Sequence, residues 1–401
     1  MKTAIFLGAG ASSEDGAPLQ SEIFNKYFTG LRKDGYPRGE DEERALIKYF
    51  QKMFGIDVTA CDSSTIFPTF EEAMGILDLA VIRNEIYKGF TNQETRSLRE
   101  YLVKLMTRVI GDELGEPWQP EELNDLNEPD EFNKPNDPNK SEEPNEPSES
   151  QKTQKLNKSQ KPNEPKLIKD HHKQLVHNLM MKDKLRETVF VSTNYDILID
   201  NALALHSEEF DLDYGIDFVN VTDRNTDINT DKYTGKKRLQ PEQSVKLYKF
   251  HGSLNWLYCP ACNTIELTPF EEAAARSTIC HLCGSEFSTL IVPPTYFKSL
   301  TNVYLGMVWI KAELALRKVQ HLIFCGYSFT DVDMHIKYLI KRVQNYREKD
   351  LLITVINNYN GKTDESKEAE KNRFQRFLSK RVDYTDICFG EFASDPLSCW
   401  K

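Results

Sequence analysis

Five short apolar runs each end in a glycine or polar turn, and this repetition constrains the fold more than any other feature of the chain. Thr3–Leu7 (TAIFL) runs into Gly8-Ala9-Gly10-Ala11-Ser12, and residues 188–191 (TVFV) run into Ser192-Thr193-Asn194-Tyr195-Asp196. Residues 245–250 lead to His251-Gly252-Ser253, His321–Cys325 to Gly326-Tyr327-Ser328, and 351–356 to Asn357-Asn358. Short runs without polar alternation, such as TAIFL and TVFV, suit strands buried on both faces. Helical stretches separate them, over 18–31, 69–88, 95–109, 167–185, 300–317 and 333–346. The second is the clearest, with Phe70, Ala73, Met74, Leu77, Ala80 and Val81 at helical spacing. Strand, turn and helix in this order predict an α/β fold with a Rossmann-like, doubly wound parallel sheet. Ligands bind such sheets at the carboxyl ends of the strands, which is where all five polar turns fall.

Two segments break the pattern. Residues 115–166 hold half of the chain's 18 prolines, with repeated Asn-Glu-Pro units, and cannot bury enough apolar surface to offset ordering; they read as a disordered insertion. Residues 206–243 read as polar and irregular. The expected organisation is therefore 1–114 and 167–258 as two parts of the Rossmann-like domain, 259–283 as a small zinc module, and 284–401 as its C-terminal part. A formal charge of −11 over 401 residues argues against a general nucleic-acid binder. No apolar run reaches the roughly 20 residues of a membrane span. The first residues, MKTAIFLGAGAS, mimic a short signal peptide, but the apolar run passes straight into a glycine turn and reads as a first strand.

Four of the eight cysteines are spaced Cys259-x2-Cys262-x17-Cys280-x2-Cys283. Two such knuckles suit tetrahedral zinc, and four thiolates close the site, so the metal is expected to be structural. The other four cysteines form no disulfide pattern, which fits a reducing cytoplasm. His251, eight residues before Cys259, closes a strand; it reads equally as a general base or as a histidine bonded to backbone. Gly8-Ala9-Gly10-Ala11-Ser12 reads as a diphosphate cradle that aims amide hydrogens at its ligand, or as an ordinary strand-to-helix turn. Asn194 and Asp196 read as groups that fix a ribose hydroxyl and a carboxamide, or as a helix N-cap.

In order along the chain, GAGAS with Gly16-Ala17-Pro18, then TNYD, FHGS with the four cysteines, GYS and VIN resemble the sirtuin family. That resemblance implies a Rossmann-like domain with a smaller zinc-bearing module, and NAD between them. It implies that Gly8, Ala9, Gly10 and Ser12 serve the diphosphate and that Gly326, Ser328 and Asn357 serve the adenosine side. Asn194 and Asp196 would sit at the nicotinamide-ribose end, with His251 as the catalytic histidine. Three departures stand out. Thr193 replaces the usual Gln before the Asn, Gln20 stands in a segment without the usual arginine, and IVPPTYFK shows no acyl-peptide clamp. PTFEEAMGIL, TNYD and GYSFTDVDMHI are similar to the divergent bacterial branch that hydrolyses NAD in antiphage defence. Membership there implies a homo-oligomer or a HerA-like partner ATPase. Peptide deacylation, ADP-ribosyl transfer and non-catalytic binding of NAD or ADP-ribose are the competing expectations.

Overall fold

The computed structural model describes residues 2–31, 40–114, 170–219, 244–268, 279–292, 302–330, 333–378 and 382–400. Seven strands form the main sheet: β1 (Thr3–Leu7), β2 (Thr188–Ser192), β3 (Asp211–Asp213), β4 (Ser244–Lys249), β8 (His321–Cys325), β9 (Leu352–Ile356) and β10 (Asp383–Thr385). All are parallel, in the order β10-β9-β8-β1-β2-β4-β3. In the central strand, β1, Thr3 stands opposite Thr188 on one side and His321 on the other. Every residue of β1, β2 and β8 is buried, so both faces of the sheet are covered, as their largely apolar sequences require. The chain builds one side of β1 first and then crosses to the other. The crevice at the carboxyl end of β1 is therefore the switch point where such sheets bind ligands.

Helices α1 (Ala9–Glu14), α2 (Ile23–Lys26), α3 (Glu40–Phe54), α4 (Phe70–Arg83) and α5 (Asn92–Glu113) precede β2. Thr69 and Thr91 each accept a bond from the backbone of the glutamate three residues on, and Glu72 and Glu94 return it. Such a capping box stabilises a helix start by about 1 kcal/mol. Phe24, Phe50, Phe70, Leu77, Leu102 and Met106 from α2 to α5 make a second core, separate from that of the sheet. Tyr195, Leu254 and Ile291 join it.

Several elements differ from expectation. No single helix covers 18–31. Helix α1 begins directly after Gly8, ends before Gly16 at φ 105°, and is followed by a turn in which the Glu22 carboxylate accepts the Leu19 N–H. The chain then makes α2 and a wider π-helical turn, Tyr27–Leu31. The helix expected over 69–88 stops at Arg83, where Asn84 adopts φ 53°. Helix α3 was not anticipated. Within 206–243, Asp211–Asp213 is an edge strand paired with β4; its acidic, half-buried residues hide it from a search for apolar runs. Residues 115–166 and the rest of that polar segment, 220–243, lie outside the described residues.

After the insertion come α6 (His171–Met181), α7 (Leu198–Ala204), α8 (Val303–Leu316), α9 (Met334–Tyr346), α10 (Asp364–Leu378) and α11 (Phe389–Ser394), all contributing to the core of the large sheet. A small antiparallel sheet, in the order β6-β5-β7, consists of β5 (Gly252–Tyr258), β6 (Ile265–Leu267) and β7 (Ser288–Ile291). The small sheet includes residues on both sides of 259–283. Its first strand starts at the residue after His251, where Gly252 has φ 79° and a Cβ would overlap the Leu290 carbonyl oxygen. The neighbouring Val292 N–H donates to the His251 carbonyl at 2.9 Å. Gly252→Ala combines a left-handed backbone with a backbone clash, so it should lower stability by at least about 2 kcal/mol. A urea midpoint equal to that of the wild type would show that the corner tolerates a side chain.

Candidate active site

A cavity of about 650 Å³ opens at the carboxyl ends of the strands, and each of the five turns lines it. Ala9, Gly10 and Ser12 come from the turn after β1, Asn194 and Asp196 from β2, and His251 from β4. Gly326 and Ser328 follow β8, and Asn357 follows β9. Gly8 lies beneath the wall: it is buried, and its carbonyl accepts the Asn194 Nδ2 at 3.0 Å.

The turns after β1 and β8 are pressed together. The Gly8 N–H donates to the Cys325 carbonyl and the Gly10 N–H to the Gly326 carbonyl, both at 2.9 Å, while the Ala11 N–H donates to Gly8. A Cβ on Gly8 would lie 2.5 Å from the Gly326 oxygen, and one on Gly326, at φ 63°, would overlap the Ala11 nitrogen. The glycines thus serve close approach of two backbones. The Gly10 and Ala11 amides are bonded within the protein rather than aimed at a ligand.

Asn194 is not a helix cap. Its Nδ2 bonds both the Gly8 carbonyl and Ser12 Oγ, the latter at 2.7 Å. With both amide hydrogens engaged, what Asn194 offers a ligand is an acceptor, its carbonyl oxygen. Ser12 Oγ accepts from Asn194, which leaves its own hydrogen to donate. Asp196 is the residue that turns the chain into α7, through Oδ1 and the Leu198 N–H at 3.2 Å. Beneath this loop Lys249 is fully buried, and its Nζ bonds the Asp196 carbonyl (2.6 Å), Asp200 Oδ2 (2.8 Å) and Ser253 Oγ (2.7 Å). Tyr214 takes the other Asp200 oxygen at 2.8 Å. One ammonium therefore ties the turn after β2 to the start of β5.

His251 is 2% exposed, and its Nδ1 lies 3.1 Å from the Thr193 carbonyl. A carbonyl only accepts, so Nδ1 carries a proton toward Thr193. Nε2 faces Asp333 Oδ1 at 4.0 Å. Asp333 is buried beside α9, and its Oδ2 accepts from the Tyr327 hydroxyl at 2.7 Å and from Thr330 Oγ1 at 3.2 Å. Burial and the neighbouring Asp333 raise the Tyr327 pKa, keeping that hydroxyl a donor. The chain reaches Asp333 through Phe329, which holds φ 53° while its ring stacks on Phe374 at 4.6 Å. A left-handed backbone at a bulky residue costs about 1–3 kcal/mol and persists where packing enforces it.

Tyr195 and Glu71 line the same end of the cavity. The Tyr195 hydroxyl is buried with no hydrogen-bond partner among the described residues, and burial, then Glu71, Asp333 and Asp78, raise its pKa. At the opposite end Asn357 bonds the Tyr327 carbonyl at 3.3 Å and the carboxylate of buried Glu370. Tyr359 and Lys362 also bond Glu370, at 3.1 and 3.0 Å. Asp333, Tyr195, Lys249 and Glu370 escaped the reading of the sequence. Tyr195 and Asp333 left a usable sign there, since each lies in a polar stretch that follows a strand end.

A SIR2-like domain model matches residues 188–378. This stretch is similar to SIR2-like domains. It contains the turns after β2, β4, β8 and β9 and the four cysteines, while β1 and its glycine turn precede it in sequence and lie at the centre of its sheet. Among solved structures, Sir2Tm bound to a propionylated peptide is 13% identical, with 99% of this chain and 92% of that one covered and a TM-score of 0.38. A Sir2 homolog–NAD complex is 14% identical, with coverages of 99% and 88% and a TM-score of 0.38. The fold assignment rests on the strand order above rather than on these likenesses. No curated protein matches the chain in sequence.

The four cysteines Cys259, Cys262, Cys280 and Cys283 lie beside the small sheet, with all four sulfurs within 4.8 Å of one another. The closest pairs, Cys259–Cys283 at 3.4 Å and Cys262–Cys280 at 3.6 Å, are too far apart for disulfides and near the edge of a tetrahedron with Zn–S bonds of about 2.3 Å. Within each knuckle a backbone N–H returns to the first cysteine's carbonyl: Asn263 to Cys259 and Gly284 to Cys280. Four thiols in this arrangement fit a closed zinc site, which would brace the sheet that begins beside His251 and would leave no position for a reacting water.

Two outcomes follow from this geometry. Purified protein should carry one zinc per chain by elemental analysis, and Cys280→Ser should lose it; equal metal content in the two would exclude the cluster as the site. Lys249→Met leaves Asp200 charged and buried without its partner, and should destabilise the fold by about 3–5 kcal/mol. A denaturation midpoint unchanged by that substitution would mean that the ammonium does not hold the two turns.

Proposed function

We propose that the chain is an NAD hydrolase that cleaves NAD to nicotinamide and ADP-ribose, and that it depletes NAD in antiphage defence. The observation that carries the reading is the His251 ring, which lines the cavity with Asn194 and Asp196 and whose Nδ1 bond to the Thr193 carbonyl leaves Nε2 facing Asp333. The likeness of the TNYD and GYSFTDVDMHI turns to the defence branch supports the biological half.

In this reaction water attacks the ribose anomeric carbon as the glycosidic C–N bond breaks. Nicotinamide leaves neutral, so no general acid is needed. The Asn194 carbonyl oxygen orients the water or a ribose hydroxyl, and His251 Nε2 accepts the proton. The Asp196 carboxylate takes a hydrogen of the carboxamide. Glu71, Asp196 and Asp333 line this end, and their negative charge suits a cationic nicotinamide ring and an oxocarbenium-like sugar. At the diphosphate the Ser12 hydroxyl is a donor, and Gly10 and Gly326 keep side chains out of the way. Gly326, Ser328 and Asn357 serve the adenosine end, and zinc acts only as a brace.

On the same reading the chain works in the cytoplasm as a homo-oligomer or with a HerA-like ATPase. The exposed side chains Val303, Met307, Ile310 and Leu314, spaced along one face of α8, support association. His251→Ala should reduce nicotinamide release from NAD by about 10²–10⁴-fold with the zinc retained. ADP-ribose formed without any peptide separates hydrolysis from deacylation. Nicotinamide release at the wild-type rate by His251→Ala would remove the histidine from the chemistry.

A further inference from the structure

We infer that the end of the cavity built by Asn357, Lys362 and Glu370 requires an adenosine ribose with free hydroxyls, so that NAD is taken and NADP refused. The inference rests on the NAD reading and deepens it by naming the groups that choose between the two dinucleotides. Sheet order places this end. Strands β9 and β4 lie on opposite sides of β1, four strand spacings or roughly 19 Å apart. A dinucleotide whose reacting bond lies at His251, after β4, therefore extends its other nucleoside toward Asn357, after β9.

What Asn357 offers there is fixed by its neighbours. Its Nδ2 bonds the Tyr327 carbonyl at 3.3 Å and the Glu370 carboxylate, neither of which can donate. Both amide hydrogens are thus engaged within the protein, and the side-chain oxygen remains as an acceptor for a hydroxyl. Tyr359 donates to the same Glu370 oxygen at 3.1 Å; burial and the adjacent carboxylate raise its pKa, which keeps it a donor. A ribose hydroxyl matches the Asn357 acceptor. A phosphate, which brings oxygens without hydrogens, does not.

Charge points the same way. Among the described residues lining the cavity, Lys362 is the one lysine or arginine, against the carboxylates of Glu14, Glu71, Asp196, Asp333 and Glu370. The Lys362 ammonium lies 3.0 Å from Glu370 Oε2, so its charge is already countered. The extra phosphate of NADP brings a charge of about −2 near neutral pH, and no further described cation lines the cavity to balance it. Glu370 is therefore a positioning residue: it holds the Asn357 amide and restrains the cation that a phosphate could use.

In the test, nicotinamide release from NAD and from NADP is measured together with the binding of each by calorimetry. Wild-type protein should favour NAD by about 100-fold or more, since the phosphate leaves buried polar groups unpaired. Glu370→Gln keeps an oxygen for Asn357 and Tyr359 but turns an NH₂ toward Lys362 and releases the ammonium. The preference should then fall about tenfold or more, through the KM for NADP. An unchanged preference in that variant overturns the assignment, as does wild-type protein that handles both dinucleotides equally. If the variant does not fold, NAD lacking both adenosine-ribose hydroxyls decides with wild-type protein. Its KM should be about tenfold higher with kcat little changed, and an equal KM overturns the assignment. Release of nicotinamide from neither dinucleotide, with NAD still bound more tightly than NADP, overturns the hydrolase reading alone. Protein that binds neither overturns both.

Discussion

The backbone junction between the turns after β1 and β8 is the constraint on which the rest depends. Gly10 donates to Gly326, Gly8 donates to Cys325, and the Gly8 carbonyl in turn receives Asn194. A methyl group at Gly8 or Gly326 would push the two turns apart, because the nearest atoms are backbone and cannot rotate away. The sheet's centre, the cavity's floor and the orientation of Asn194 are thus one packing problem. Glycine solves it here by absence of volume, and the amide hydrogens that such a turn can lend to a ligand are in part used to join the strands.

A second layer of constraint is polar and buried. Lys249, Asp200, Ser253 and Tyr214 form a satisfied network under the turn after β2. Removing an ammonium from water carries a penalty of several kcal/mol, and three short bonds from Nζ offset it. An apolar group of the same size would pack as well but could not grip the Asp196 carbonyl. The network is better understood as positioning than as net stabilisation. The Phe329 backbone belongs to the same category: local strain tolerated because the Phe324, Phe374 and Phe377 rings around it over-determine the turn that carries Asp333.

How far the sequence could be read depended on the range of the forces involved. Buried strands declare themselves because both faces need apolar residues, so TAIFL, TVFV and HLIFC were legible and their polar ends marked the cavity. The cysteine knuckles were legible because a metal site is encoded in local spacing. The strand Asp211–Asp213 was not, since an edge strand exposes one side and its acidic residues look like loop. Helix α1 was masked by its glycine and alanine, which carry little periodic signal. Asp333 read as a helix start because the residue it faces, His251, lies 82 positions away in sequence, across the sheet.

By itself the sequence determined the strand set, the polar turns that gather at one end of the sheet, and the cysteine cluster, because burial and ligand spacing act over a few residues. Only the tertiary structure decided which atoms of those turns face one another. It turned the Asn194 amide inward, tied a proton of His251 to Nδ1, and set Asp333 4.0 Å from Nε2. Those outcomes depend on crossing distances between β1, β4 and β8. Such distances are fixed by glycine-to-glycine contact and a buried lysine, to which no local pattern corresponds.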